Sequence, residues 1–106
     1  MVDSVTRLTC YAVRVIIGFK DDETRAVFLT GKSKRFGSVA RVAARRLGQL
    51  DFAGSLDDLR SPPGNWLEAL KGDRKGQHSI RINDQYRVCF VWLGSDATRV
   101  EITDYH

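Results

Sequence analysis

The chain reads as an α+β domain: one small, antiparallel-rich β-sheet with two N-terminal helices packed on one face. Three observations predict it. Residues 79–91 alternate apolar and polar side chains around a break at Asn83-Asp84-Gln85, the period of two half-buried strands joined by a turn. Residues 39–52 set Val39, Val42, Ala43, Leu47 and Leu50 at helical spacing. Turn-forming clusters at 61–65, 72–76 and 94–96 then cut the C-terminal half into short strands.

A length of 106 residues suits a single domain, 1–106, with one modest core. With 42% hydrophobic and 28% charged residues, the chain has the composition of a soluble globule, which excludes a disordered polymer. Arg14 and Lys20 flank the short apolar run 15–19, so no stretch approaches membrane length, and no apolar region leads to a signal cleavage site. Cys10 and Cys89 have no partner at metal-ligand spacing. Cys89 reads as a small core residue, reduced in a cytoplasmic protein. Lysine and arginine number 17 against 13 acidic residues, a net charge of +4 that favours polyanionic partners without identifying one.

The elements follow in order. Residues 1–12 carry little pattern and form a possible extra N-terminal arm. Residues 13–19 are β-branched and apolar, predicting a first strand lying centrally in the sheet. Asp21, Asp22 and Glu23 open a short helix that Gly31 ends. Ser38 is the expected N-cap of the second helix, whose Arg41, Arg45 and Arg46 should face water. Ser55 caps a single turn at 55–59, and Pro62-Pro63 breaks the chain. Residues 66–70 restart the sheet, with Leu67 and Ala69 on one face and Trp66, Glu68 and Leu70 on the other. Burying Ile80, Ile82, Tyr86, Val88 and Phe90 together requires Ile82 to pair with Tyr86. That register sets Arg81 across from Arg87, where two like charges either splay apart or share an anion. A final strand, 98–103, points Val100 and Ile102 at the core, followed by Asp104-Tyr105-His106.

L-E-A-L-K-G-D-R at 67–74, S-I-R-I-N-D-Q-Y-R-V-C-F at 79–90 and the terminal D-Y-H resemble the RelE/ParE superfamily of bacterial toxins, closest to its HigB branch (plasmid maintenance system killer). The resemblance runs from about Ile16 to His106. It implies a RelE-like fold and a type II toxin that cuts mRNA at the ribosomal A site without metal or other cofactor. It also implies a HigA-like helix-turn-helix antitoxin as partner, contacts to 16S ribosomal RNA, and no membrane.

Metal-free RNA cleavage needs a base for the ribose 2′-OH, cations for the charge growing on phosphorus, and an acid for the departing 5′ oxygen. Glu68 stands three residues before Lys71, where some of the toxins it resembles carry a glutamate as general base and others a histidine. Arg81 and Arg87 suit the phosphate, because guanidinium binds it with paired hydrogen bonds. Arg87 matches the arginine with which the family stabilises the transition state. His106, in the D-Y-H ending, is the expected acid. Lys71, Arg74 and Lys75 would hold the RNA backbone, and Tyr105 would stack on a base or position the phosphate. His78 sits where relatives often have an aromatic, which implies packing. A ParE-like gyrase poison and a non-catalytic binding module remain the competing readings.

Overall fold

The computed structural model describes residues 15–60 and 63–104, so residues 1–12 lie outside the described part. Helix α1 (Asp22–Thr30) begins where the Asp21 carboxylate accepts the Thr24 N–H at 2.7 Å and ends at Gly31, whose φ of 73° is left-handed. Both boundaries match the sequence reading. Thr24 is fully buried, and its hydroxyl accepts the Ile102 N–H at 3.0 Å, which pins α1 to the sheet.

Helix α2 (Val39–Asp51) buries Ala40, Ala43, Leu47 and Leu50 and leaves Arg41 and Arg45 exposed. Two expectations fail here. Ser38 has helical backbone angles, φ −68° and ψ −19°, and makes no side-chain cap. A cap needs extended backbone to turn its hydroxyl back onto the helix. Arg46 is half-buried rather than solvated, because its Nε donates to the Arg81 carbonyl at 2.9 Å and ties α2 to the hairpin.

Four antiparallel strands follow in the order β1-β2-β3-β4: β1 (Glu68–Ala69), β2 (His78–Arg81), β3 (Arg87–Leu93) and β4 (Asp96–Thr103). Arg81 pairs with Arg87, and the Ile82 N–H donates to the Tyr86 carbonyl at 3.0 Å, the register that the buried set required. Ile80, Ile82, Val88, Phe90, Val100 and Ile102 pack on the helices to form the core.

The N-terminal segment is not central. Its described part, residues 15–20, runs parallel to β4 on the outer edge of the sheet, with bridges Ile16–Ala97 and Phe19–Val100. What anchors it is the buried Asp51 carboxylate at the end of α2, which accepts the N–H groups of Val15 at 3.0 Å and Ile16 at 2.9 Å. The expected alternation over 66–70 also breaks. Trp66 has a φ of 47°, the strand shortens to two residues, and Leu70 is buried while Glu68 and Ala69 are both exposed. A left-handed residue rotates the chain out of the strand repeat, so faces no longer alternate through it.

Candidate active site

Alternation along β2, β3 and β4 turns every second side chain away from the helices. Pairing aligns these into two cross-strand rows, Glu68–Ser79–Cys89–Glu101 and Arg81–Arg87–Thr103. Three of the four residues assigned to catalysis therefore share one surface because of strand register alone.

Arg87 is the best-held of them. Its Nε donates to Ser79 Oγ at 2.7 Å, its Nη2 donates to the Trp66 carbonyl at 2.6 Å, and Nη2 stands 3.7 Å from Glu68 Oε1. The last distance is an ion pair without a hydrogen bond, and the Glu68 side chain is 59% exposed. The carboxylate is thus close to a fixed cation and open to an incoming hydroxyl.

Arg81 and Arg87 each have a carboxylate of their own, Asp84 for Arg81 and Glu68 for Arg87, which offsets the like-charge pairing. Arg81 also donates from Nε to the Asn83 carbonyl at 3.2 Å and lies 5.1 Å over the ring centre of Trp66. Both arginines consequently meet at one residue, Arg81 at the indole and Arg87 at the carbonyl.

The residues assigned to RNA divide. Lys71 is exposed and lines, with Glu68, Ala69, Leu70 and Arg74, a shallow cavity of about 280 Å³. Lys75 is exposed on the same turn. Arg74 turns inward instead, donating from Nη1 to Glu101 at 3.0 Å and to Gln77 at 3.1 Å, while Lys20 reaches Glu101 at 3.3 Å. Its principal contacts make it a brace between the 72–74 turn and β4. Tyr105 and His106 lie outside the described residues. The chain reaches them from Thr103, which pairs with Arg87, and from Asp104, whose Oδ2 accepts the Gln85 side-chain N–H at 3.1 Å.

Beneath this surface, burial pushes the Cys89 thiol up from 9.0 to about 11, against the opposing pull of Arg74. It is a neutral floor to the site. His78 stacks on Phe90 with ring centres 6.3 Å apart, a packing role as expected. Two contributors went unassigned in the sequence: Ser79, which orients Arg87, and Trp66, which both arginines touch. The signal for Ser79 was present in the period of two, since it precedes Arg81 by two residues on β2, whereas the left-handed backbone of Trp66 takes it out of that repeat.

The fold with this site is that of a RelE-like toxin. It is similar to a chain of the YoeB-YefM complex from Staphylococcus aureus, at a TM-score of 0.53 and 18% identity over 88% of this chain and 98% of that one. Residues 17–106 match the family described as RelE-like toxin of type II toxin-antitoxin system HigB, and the chain belongs to that family. It is 42% identical over 77 residues to Toxin HigB-1 of Vibrio cholerae serotype O1, covering 71% of this chain and 81% of that protein. It is 34% identical over 61 residues to Endoribonuclease HigB of Proteus vulgaris, covering 58% and 65%. Among the described residues no helix is long and apolar enough to cross a membrane.

Proposed function

We propose that this toxin is a metal-independent endoribonuclease that cuts mRNA on translating ribosomes in the cytoplasm, and that a HigA-like helix-turn-helix antitoxin holds it in check. The name Endoribonuclease HigB borne by the Proteus relative supports the chemistry, and membership of a family of type II toxin-antitoxin toxins supports the partner. The observation that carries the reading is the Glu68–Arg87 pair, 3.7 Å apart on the open face of the sheet.

In this mechanism Glu68 takes the proton of the ribose 2′-OH, and the 2′ oxygen attacks phosphorus. The P–O5′ bond breaks, leaving a 2′,3′-cyclic phosphate and a 5′-OH that receives its proton from His106. Arg87 carries the charge that grows on the phosphoryl oxygens, with Arg81 second to it. Lys71 and Lys75 attract the RNA backbone, and Tyr105 packs against a base. Contacts with 16S ribosomal RNA fall to the exposed arginines of α2. Using the ribosome to immobilise the message offsets the small surface that the toxin itself can offer.

Single-turnover cleavage of ribosome-bound mRNA tests this directly. Glu68→Ala, Arg87→Ala and His106→Ala should each lose about a hundredfold or more in rate. Rates equal to wild type would end the nuclease assignment, and gyrase-dependent DNA breaks would replace it with a ParE-like activity.

A further inference from the structure

From the convergence of both arginines on Trp66, we propose that its indole is a stacking platform for a nucleobase beside the scissile phosphate. The inference rests on the nuclease reading and extends it to a base-binding subsite.

Trp66 is a large hydrophobic side chain left 63% exposed. Its backbone is also left-handed at φ 47°, a conformation that non-glycine residues adopt at a cost. Two contacts hold it there. Arg87 Nη2 donates to its carbonyl at 2.6 Å, and the Arg81 guanidinium lies 5.1 Å from the ring centre. Arg81 is itself fixed by Asp84 and the Asn83 carbonyl. The ring is therefore supported on one side by an immobilised cation, and much of the rest of its surface meets solvent.

The surroundings select the occupant. An aromatic anchor for a protein partner is expected inside a patch of apolar neighbours. Trp66 instead has the Arg81 guanidinium over its ring and Arg87 at its carbonyl, with Glu68 paired to that same Arg87, charged surroundings suited to a ligand with a π face and an anionic backbone. Glu68 follows two residues later, so the α-carbons that carry the platform and the proposed base are no more than about 7 Å apart. A base stacked on Trp66 would hold its own ribose or the next one at the Glu68 carboxylate, and the intervening phosphate at Arg87.

The test couples the ring to the base. Single-turnover cleavage is measured on ribosome-bound mRNA with intact nucleotides and on mRNA bearing one abasic nucleotide at either flank of the cleaved bond. Wild type, Trp66→Phe and Trp66→Ala are compared, with thermal unfolding as the folding control. Base–aromatic stacking corresponds to about 5- to 150-fold in binding. Trp66→Ala should raise the half-saturating ribosome concentration by about tenfold, and Trp66→Phe should recover most of that. One abasic position should reduce wild type to the level of Trp66→Ala and leave Trp66→Ala itself unchanged. Full activity in Trp66→Ala, or abasic and alanine effects that multiply independently, would overturn the proposal. So would a Trp66→Ala protein that cleaves normally but loses antitoxin binding. Absence of cleavage by wild type would defeat the nuclease reading instead, a different outcome.

Discussion

Arg87 donates from Nε to a serine hydroxyl and from Nη2 to a peptide carbonyl before any substrate arrives. Its remaining donors are aimed by those bonds, so a point charge cannot replace it. Arg87→Lys should keep the positive field yet lose about a hundredfold in single-turnover rate, and recovery of wild-type rate by lysine would show that charge alone suffices. Cys89 supports a different expectation. Its thiol is raised from 9.0 to about 11 by burial, so the folded protein keeps a proton that the unfolded chain releases as pH passes 9.0. The stabilisation is complete below that value and lost as pH rises towards 11. Urea unfolding at pH 8 and pH 10.5 should show wild type losing on the order of 2 kcal/mol more than Cys89→Ala across that window. In a Cys10→Ser background, reaction of native Cys89 with a thiol reagent at pH 8 should be slow for the same reason.

At the level of elements, the hairpin was legible and the sheet edges were not. Ile80, Ile82, Val88 and Phe90 share a face by a strict period of two, and only one register buries all four, so the Arg81–Arg87 pairing followed from local pattern. Helix α1 was equally readable, because its acidic start and glycine stop are local chemistry, although Asp21 serves as the cap rather than in the first turn. The run 15–19 looked central because it is apolar, yet Val15 is buried while Ile17 is 62% exposed. Its place beside β4 depends on residues about 80 positions away, and on Asp51 at the end of α2. Strand β1 was misread for a related reason: nothing in the residue type of Trp66 announces a left-handed backbone. Nor does an arginine at position 46 announce that it will donate to a carbonyl on the hairpin. For the site, the shared face of Arg81 and Arg87 was visible in the alternation and Glu68 came from the resemblance, but the contacts that aim them were not legible. The Asp51 clamp gives the element-scale prediction. Asp51→Ala removes the acceptor of two main-chain N–H groups at a buried position, which should cost about 2–3 kcal/mol. Amide hydrogen exchange at Val15 and Ile16 should accelerate more than at Val88 and Phe90. Uniform acceleration would mean that the edge segment is not an independent unit.

Across the whole molecule, the sheet separates two tasks by its two faces. One face holds Ile80, Val88, Phe90 and Ile102 against the helices, and the other presents Glu68, Arg81 and Arg87. Substitutions on the two faces should therefore fail in different ways. Leu47 is fully buried under the sheet, so Leu47→Ala deletes apolar contacts and leaves a cavity, at about 2–5 kcal/mol. That is a large part of the roughly 5–15 kcal/mol available to a domain of this size. Glu68 is exposed and forms its ion pair at 3.7 Å, so Glu68→Gln should change stability by less than about 0.5 kcal/mol while removing the proposed base. Denaturant unfolding and single-turnover cleavage, measured on both variants below the melting temperature of Leu47→Ala, should give opposite results. Leu47→Ala should melt early yet cut at near wild-type rate per folded molecule, and Glu68→Gln should melt normally yet cut about a hundredfold more slowly. If Leu47→Ala lost its rate while still folded, the rows on the open face would have to depend on core packing through the strands, and register alone would not explain how the site is assembled.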